Sequence, residues 1–302
     1  MLKFVAIWYI MAISKPKKER FSMLIRYFIP PFSAAFQLQT NCPVLINLLC
    51  LKHGQYLTET PTMTSHTITA LRQGSTCNYE ISHGDTHFVT ANPLYAVEDI
   101  IYHHRDFSEK VLALHGAAVT DGNYAHIFLA ATTSGKTTLT AYLIHSGFDY
   151  ITDDCVLLDR EEFSIHPFTT PLHLREGSLE VLKRYAVLPK ALTYLEDEIF
   201  ARYVFTPDNC VTASLPLGGI FFLHRTEERN ALEEMSLTDR ITGLLHSPIT
   251  AYPMSKEYLI FISRLAKFPC YRLYYSDMNY VKELLQNEFS ACSPIITGTD
   301  PS

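Results

Sequence analysis

The residues of this chain best suited to chemistry stand together: Ala130, Ala131, Thr132, Thr133, Ser134, Gly135, Lys136, Thr137 and Thr138. Gly135 lets backbone approach an anion closely, and successive N–H groups around it can form a nest for phosphate oxygens. Lys136 can reach the β- and γ-oxygens of a nucleotide, and the Thr137 hydroxyl can ligate Mg²⁺. Such a loop needs a strand before it and a helix after it. Both are expected: an apolar run over 124–130 precedes the loop, and a helical pattern opens at Lys136. One departure stands out. The first glycine of the G-x-x-x-x-G-K-[ST] pattern is replaced by Ala130, which takes φ > 0 only at a cost, so the turn must enter differently. A bare Gly-Lys-Thr can also arise by chance in a loop; the flanking strand, helix and hydroxyl residues argue against that.

A second cluster follows at Asp153-Asp154, closing the apolar run that contains Tyr150 and Ile151. An acid at a strand end beside a phosphate loop is well placed to touch Mg²⁺. Successive strand residues point to opposite faces, which would give Asp153 to the metal shell and leave Asp154 to accept a proton from an incoming hydroxyl. The competing reading is an acidic turn capping a hairpin. Upstream, His115-Gly116 follows the apolar run Val111–Leu114. His115 could orient an aspartate or contact a transferring phosphate, although a lone histidine at a strand end is more often structural.

These residues need elements to hold them. Compact apolar runs at 111–114, 124–130, 148–152, 155–158 and 217–223 read as strands, with a helix from Lys136 to about Ser146 and Gly147 at its C-terminal end. Further helices are expected at 177–185, 239–245, 258–267 and 279–287. Strands interleaved with helices define an α/β domain. Residues 21–105 read differently, as a β-rich N-terminal segment broken by Pro30, Pro31, Pro43, Gly54, Pro61, Gly74 and Gly84. His83-Gly84-Asp85 is expected to turn a hairpin there, and a helix is expected at 94–102. The resulting division is 1–20 as a leader or mis-called start, 21–105, a kinase-like domain at 106–292, and a loose tail at 293–302.

Composition narrows the function classes. The chain has 302 residues, 47% apolar and 19% charged, which excludes a disordered protein. A net charge of −6 tells against a nucleic-acid partner. Seven cysteines, none spaced C-x-x-C, suit reduced thiols in a cytoplasmic protein better than a zinc knuckle or a disulfide framework. The apolar run at 2–13 is too short to span a bilayer and its basic residues follow it, so neither a membrane anchor nor a signal peptide is expected.

Three pieces together carry a resemblance: Leu114-His115-Gly116-Ala117-Ala118-Val119, the loop with its helix ending in His145-Ser146-Gly147, and Ile151-Thr152-Asp153-Asp154-Cys155-Val156-Leu157-Leu158. In order and spacing they resemble the HPr kinase/phosphorylase catalytic domain, of the P-loop group with a phosphoenolpyruvate-carboxykinase-like core. The resemblance covers residues 111–160 and extends loosely to 280. It implies an α/β domain with a mixed sheet, ATP as substrate and Mg²⁺ as cofactor. It also implies an active-site role for His115, phosphate contact by Lys136, a metal-ligating hydroxyl on Thr137 and a proton acceptor at Asp154. Some features depart from the family. Thr132-Thr133 stand where the bifunctional enzymes carry glycine and an acid. The family's metal-binding glutamate has no intact counterpart, Glu176 and Glu180 being the nearest candidates, and only Arg264 and Arg272 stand near the place of its C-terminal arginine signature. These departures tell against the reverse, phosphorylase reaction and leave HPr unassigned as the acceptor. The divergent single-function branch, similar to the peptide-serine tailoring kinases of lasso-peptide clusters, fits more closely.

The expected function is therefore a kinase moving the γ-phosphoryl group of ATP to a serine-type hydroxyl on a peptide or protein, with homo-oligomerisation left open. A nucleotide-binding switch without an acceptor is the alternative; adjacent aspartates favour the kinase, because a switch needs no base for a hydroxyl. A carboxykinase-like small-molecule enzyme is disfavoured by the missing second cluster of metal ligands. No N-K-x-D motif is present, which tilts the nucleotide towards ATP.

Overall fold

The computed structural model describes residues 23–28, 35–56, 65–74, 76–103, 110–131, 134–189, 192–196, 201–249 and 254–289. The expected leader at 1–20 and tail at 293–302 lie outside these residues, as do Thr132 and Thr133. The chain divides into two compact units between Phe107 and Ser108.

The first unit is a five-stranded sheet in sequential order: β1 (Met23–Phe28), β2 (Ala35–Thr40), β3 (Ser65–Arg72), β4 (Tyr79–His83) and β5 (Thr86–Thr90). All neighbours are antiparallel except β2 and β3, which run parallel. The hairpin expected at His83-Gly84-Asp85 joins β4 to β5, with Gly84 at φ 55°. Two helices accompany the sheet, α1 (Pro43–His53) and α2 (Pro93–His103). The second answers to the helix expected at 94–102. The first was not expected, because Pro43 was read as a strand breaker; here it opens a helix, where its missing N–H costs nothing. Lys52 and His53 of α1 both meet the Glu98 carboxylate of α2, at 2.8 and 2.9 Å.

In the second unit nine strands form one mixed sheet. Its path runs β6 (Val111–Leu114), β10 (Val156–Asp159), β11 (Ser164–His166), β15 (Leu215–Arg225), β8 (Ala125–Leu129), β7 (Gly116–Thr120) and β9 (Asp149–Thr152). From β15 branches β17 (Cys270–Tyr275), which carries β16 (Ala231–Glu234). A small separate sheet is built from β12 (Leu172–Leu174), β14 (Ala201–Phe205) and β13 (Thr193–Glu196). Five helices belong to this unit among the described residues: α3 (Lys136–His145), α4 (Glu176–Arg184), α5 (Leu237–Leu245), α6 (Lys256–Leu265) and α7 (Met278–Leu284).

Alternation along the strands sends side chains to opposite faces and so makes two cores. Val119, Phe128, Phe221, Leu223, Leu273 and Tyr275 join α3, α4 and α7 in one cluster. Ala118, Ile127, Leu129 and Ile220 join α5 and α6 in the other. Sheet between two helical layers is what the interleaved pattern called for. Helix α3 buries Leu139, Thr140, Ala141, Tyr142, Leu143 and Ile144 in succession, which covers every side of its second half and fixes its position by packing. No helix among the described residues is long and apolar enough to cross a membrane.

Candidate functional site

Ala130 and Ala131 follow β8, and Ser134 and Gly135 precede α3, the strand-before-helix order expected of a phosphate loop. Gly135 caps α3 in the left-handed region at φ 92°, a conformation that favours glycine. A Cβ there would also come within 3.0 Å of the Tyr275 hydroxyl. Ala130 is not among the described residues at positive φ, so alanine stands there without that backbone cost. No side chain caps α3. Its first-turn N–H groups therefore have no partner within the helix, which leaves them for an anion.

Lys136 is buried at 6% exposure, and its ammonium is held on three sides. It donates to the carbonyls of Ala130 at 2.7 Å and Ala131 at 3.2 Å, and lies 3.3 Å from His115 Nε2. An ammonium only donates, so Nε2 is the acceptor in that pair. Burial lowers the Lys136 pKa, opposed by the carboxylates of Asp154 and Asp153. Ser134 closes the turn by donating its hydroxyl to the Ala131 carbonyl at 2.7 Å. Thr138, one step into the helix, donates to the Ser178 hydroxyl at 2.9 Å and ties α3 to α4.

His115 stands between β6 and β7, with its backbone N–H on the Ser247 carbonyl at 2.7 Å. Its neighbour Gly116 is there for a close approach: a Cβ would lie 2.7 Å from the Phe128 carbonyl oxygen and 2.8 Å from Leu129. The glycine lets β7 lie tight on β8 and brings His115 to the loop that β8 feeds.

The aspartate pair differs from expectation in one respect. Strand β9 stops at Thr152, and Asp153-Asp154 form the bend that follows. Strand alternation therefore does not divide them; the bend does. Asp153 is buried at 3% exposure, whereas Asp154 is exposed with φ 66°. Aspartate tolerates that left-handed conformation better than most side chains. The Thr152 hydroxyl pins the bend by donating to the Cys155 carbonyl at 2.7 Å. The pair does not cap a hairpin, because β9 and β10 are not neighbours in the sheet.

Burial and the adjacent Asp154 push the Asp153 carboxyl well above the usual carboxylate range, against the pull of the Thr137 hydroxyl and of Lys136. Its Oδ1 is buried without a hydrogen-bond partner among the described residues. A buried carboxylate oxygen with nothing to bind, facing a threonine hydroxyl, is a donor set that suits a hard divalent cation. Asp153 and Thr137 thus fit Mg²⁺. Among the described residues no group of three or more His, Cys, Asp or Glu forms a metal cluster by itself. Glu176 is exposed at the start of α4, two residues before the Ser178 that meets Thr138.

Tyr275 was not singled out from sequence. Its hydroxyl donates to the Ser134 carbonyl at 3.3 Å and so braces the loop from β17. The tyrosine-rich run Cys270–Tyr275 could have been read as a strand, but its parallel pairing with β15, which delivers Tyr275 to the loop, is non-local.

No protein-family model matches the chain, and no curated protein matches it in sequence. Among solved structures it is similar to the Hpr(Ser) kinase/phosphatase from Coxiella burnetii, with 13% identity and a TM-score of 0.32 over 58% of this chain and 88% of that one.

Proposed function

We propose that this protein is an ATP-dependent phosphotransferase that moves the γ-phosphoryl group to a serine-type hydroxyl on a peptide or protein. The observation that carries this reading is the single focus around Lys136. A buried ammonium, an uncapped helix N-terminus, a buried orphaned carboxylate oxygen and an exposed carboxylate all converge there.

The residues divide the work by environment. Ala130 to Thr138 cradle the phosphates with backbone N–H groups, and Lys136 reaches the β- and γ-oxygens. Asp153 and Thr137 would hold Mg²⁺, with Glu176 as a further ligand from α4; the ion, when bound, neutralises charge developing on the phosphates. His115 holds the Lys136 ammonium in place. Asp154, open to solvent, accepts the proton of the incoming hydroxyl. The acceptor oxygen bonds to the γ-phosphorus, the bond from that phosphorus to the β–γ bridging oxygen breaks, and ADP leaves with the bond's electrons. The acceptor belongs to the class that the HPr-kinase resemblance implies, a serine on a carrier protein or on a ribosomal precursor peptide, and the setting is cytoplasmic.

The test is Asp154→Asn, assayed by radiolabelled phosphoryl transfer from ATP to a serine-containing peptide. Asparagine also accepts left-handed backbone, so the bend survives and only the base is lost. Transfer should fall by about 10²–10⁴ while ATP affinity stays within a few-fold. Transfer at near wild-type rate would sink this mechanism and leave the nucleotide-switch reading.

A further inference from the structure

The phosphotransferase reading leaves the triphosphate with one buried side-chain cation, whose donors are directed to Ala130, Ala131 and His115. A second cation stands on the open side of the loop. Strand β15 runs parallel to both β8 and β17, so these strands bring their C-terminal ends to one edge of the sheet. Crevices at such edges are where α/β sheets take ligands. The loop comes from β8, Tyr275 from β17, and Arg225 from β15. Arg225 shares its strand parity with Phe221 and Leu223, both of which pack in the cluster that contains α3, so it lies on the α3 face. A Cβ on Gly135 would lie 3.9 Å from Arg225 Cδ, which places the arginine stem against the start of α3.

The arginines that follow Arg225 in the chain are engaged. Arg229 pairs with Glu233 and lies over the Tyr274 ring. Arg240 pairs with Glu234 at 2.6 Å, and Arg272 with Asp239 at 3.3 Å. Arg264 stacks on Phe163. Arg225 is exposed and makes no ion pair or side-chain hydrogen bond with the described residues. Its stem lies against the start of α3, and its charge is felt by the Tyr275 hydroxyl that braces the loop.

We propose that Arg225 binds the polyphosphate of the nucleotide, as a second cation opposite Lys136. A guanidinium matches phosphate geometry with paired N–H donors, which an ammonium does not. The proposal rests on the phosphate-loop reading. It assigns to β15 a residue that neither the loop motif nor the aspartate pair predicts.

The experiment measures, by titration calorimetry on the full chain, binding of a non-hydrolysable ATP analogue and of inorganic tripolyphosphate. The proteins are wild type, Arg225→Gln, Arg225→Lys, Lys136→Ala and the control Arg229→Gln, each with its melting temperature. Arg225→Gln should weaken both ligands by about tenfold. Arg225→Lys should recover part of the loss, and Arg229→Gln none of it should suffer. Arg225→Gln binding both ligands within twofold of wild type, while Lys136→Ala loses them, would overturn the proposal and leave the loop reading standing. If Arg225→Gln lost only the nucleotide and kept tripolyphosphate, Arg225 would contact the nucleoside instead, which also overturns it. Lys136→Ala binding as wild type would instead remove the phosphate-loop reading itself.

Discussion

At the scale of single residues, this site works by giving chemically similar groups different surroundings. Asp153 and Asp154 are adjacent in sequence, yet one is buried with an unpaired oxygen and the other is exposed. A buried carboxylate that faces a hydroxyl is suited to a cation, and an exposed one to a mobile acceptor. Asp153→Asn should therefore raise the Mg²⁺ concentration needed for half-maximal transfer, with a smaller effect at saturating Mg²⁺ than Asp154→Asn shows. Titrating Mg²⁺ against transfer rate for the two variants checks this; equal responses would mean that the pair is not divided as drawn. Lys136→Ala has a different signature. It removes a charge-assisted contact worth roughly 1.5–3 kcal/mol, so nucleotide affinity should fall about tenfold or more. Calorimetry that finds unchanged affinity would mean the nucleotide binds elsewhere.

At the scale of elements, strand packing sets the distance between His115 and Lys136. Gly116→Ala puts a methyl 2.7 Å from the Phe128 carbonyl oxygen, a backbone atom that cannot swing aside. Strand β7 must move off β8, at a cost of about 1–3 kcal/mol. That should lower the melting temperature by several degrees and also weaken nucleotide binding. Gly147→Ala separates the two effects. Gly147 has φ 104° with nothing within 4 Å of its added Cβ, so that variant should lose stability through backbone strain and keep its nucleotide affinity. If both variants bind nucleotide equally, β7 does not position the site. What could be read from sequence follows the same logic. The loop and α3 were legible because strand, turn and helix are contiguous and each carries its own pattern. Strand β9 was legible as an apolar run, but aspartate's tolerance of left-handed backbone does not by itself say that the chain bends at Asp154. Helix α1 was missed because Pro43 signals both a strand break and a helix start, and Cys42 before it supplies no side-chain cap. Tyr275 and Arg225 reach the loop only through parallel pairing of β8, β15 and β17, which links residues far apart in the chain.

At the scale of the whole molecule, each unit contains a buried ionisable group whose lowered pKa makes it lose stability on acidification, His126 in the second and Glu98 in the first, and the two lose it over different pH ranges. In the second unit His126 is fully buried in β8 among Phe221 and Phe289, with neither ring nitrogen hydrogen-bonded among the described residues. Burial lowers it from 6.5 to about 4, against the opposing pull of Asp121. The unfolded chain therefore binds a proton between those values that the folded unit refuses, and stability falls as pH drops from 6.5 towards 4, by about 3 kcal/mol in all. In the first unit burial alone would raise Glu98, but Lys52 and His53 outweigh it and bring the carboxyl from 4.5 down to about 2. Its stabilising contribution, again about 3 kcal/mol, is complete above 4.5 and is lost only as pH falls towards 2. The contribution tied to His126 is thus lost at higher pH than the one tied to Glu98. The buried Asp153 carboxyl, raised to about 8, works the other way in the second unit, which gains stability from it as pH falls towards 4. Hydrogen exchange followed by mass spectrometry at pH steps from 7 to 2.5 reads the units separately. His126→Leu should remove the imidazole's share of the slope between pH 6.5 and 4, in the second unit alone, so that this variant gains stability relative to wild type as pH falls. Glu98→Gln should lower the first unit's stability at pH 7 and flatten its curve below 4.5. If His126→Leu leaves the slope between 6.5 and 4 unchanged, the buried imidazole does not contribute to this unit's response to acid.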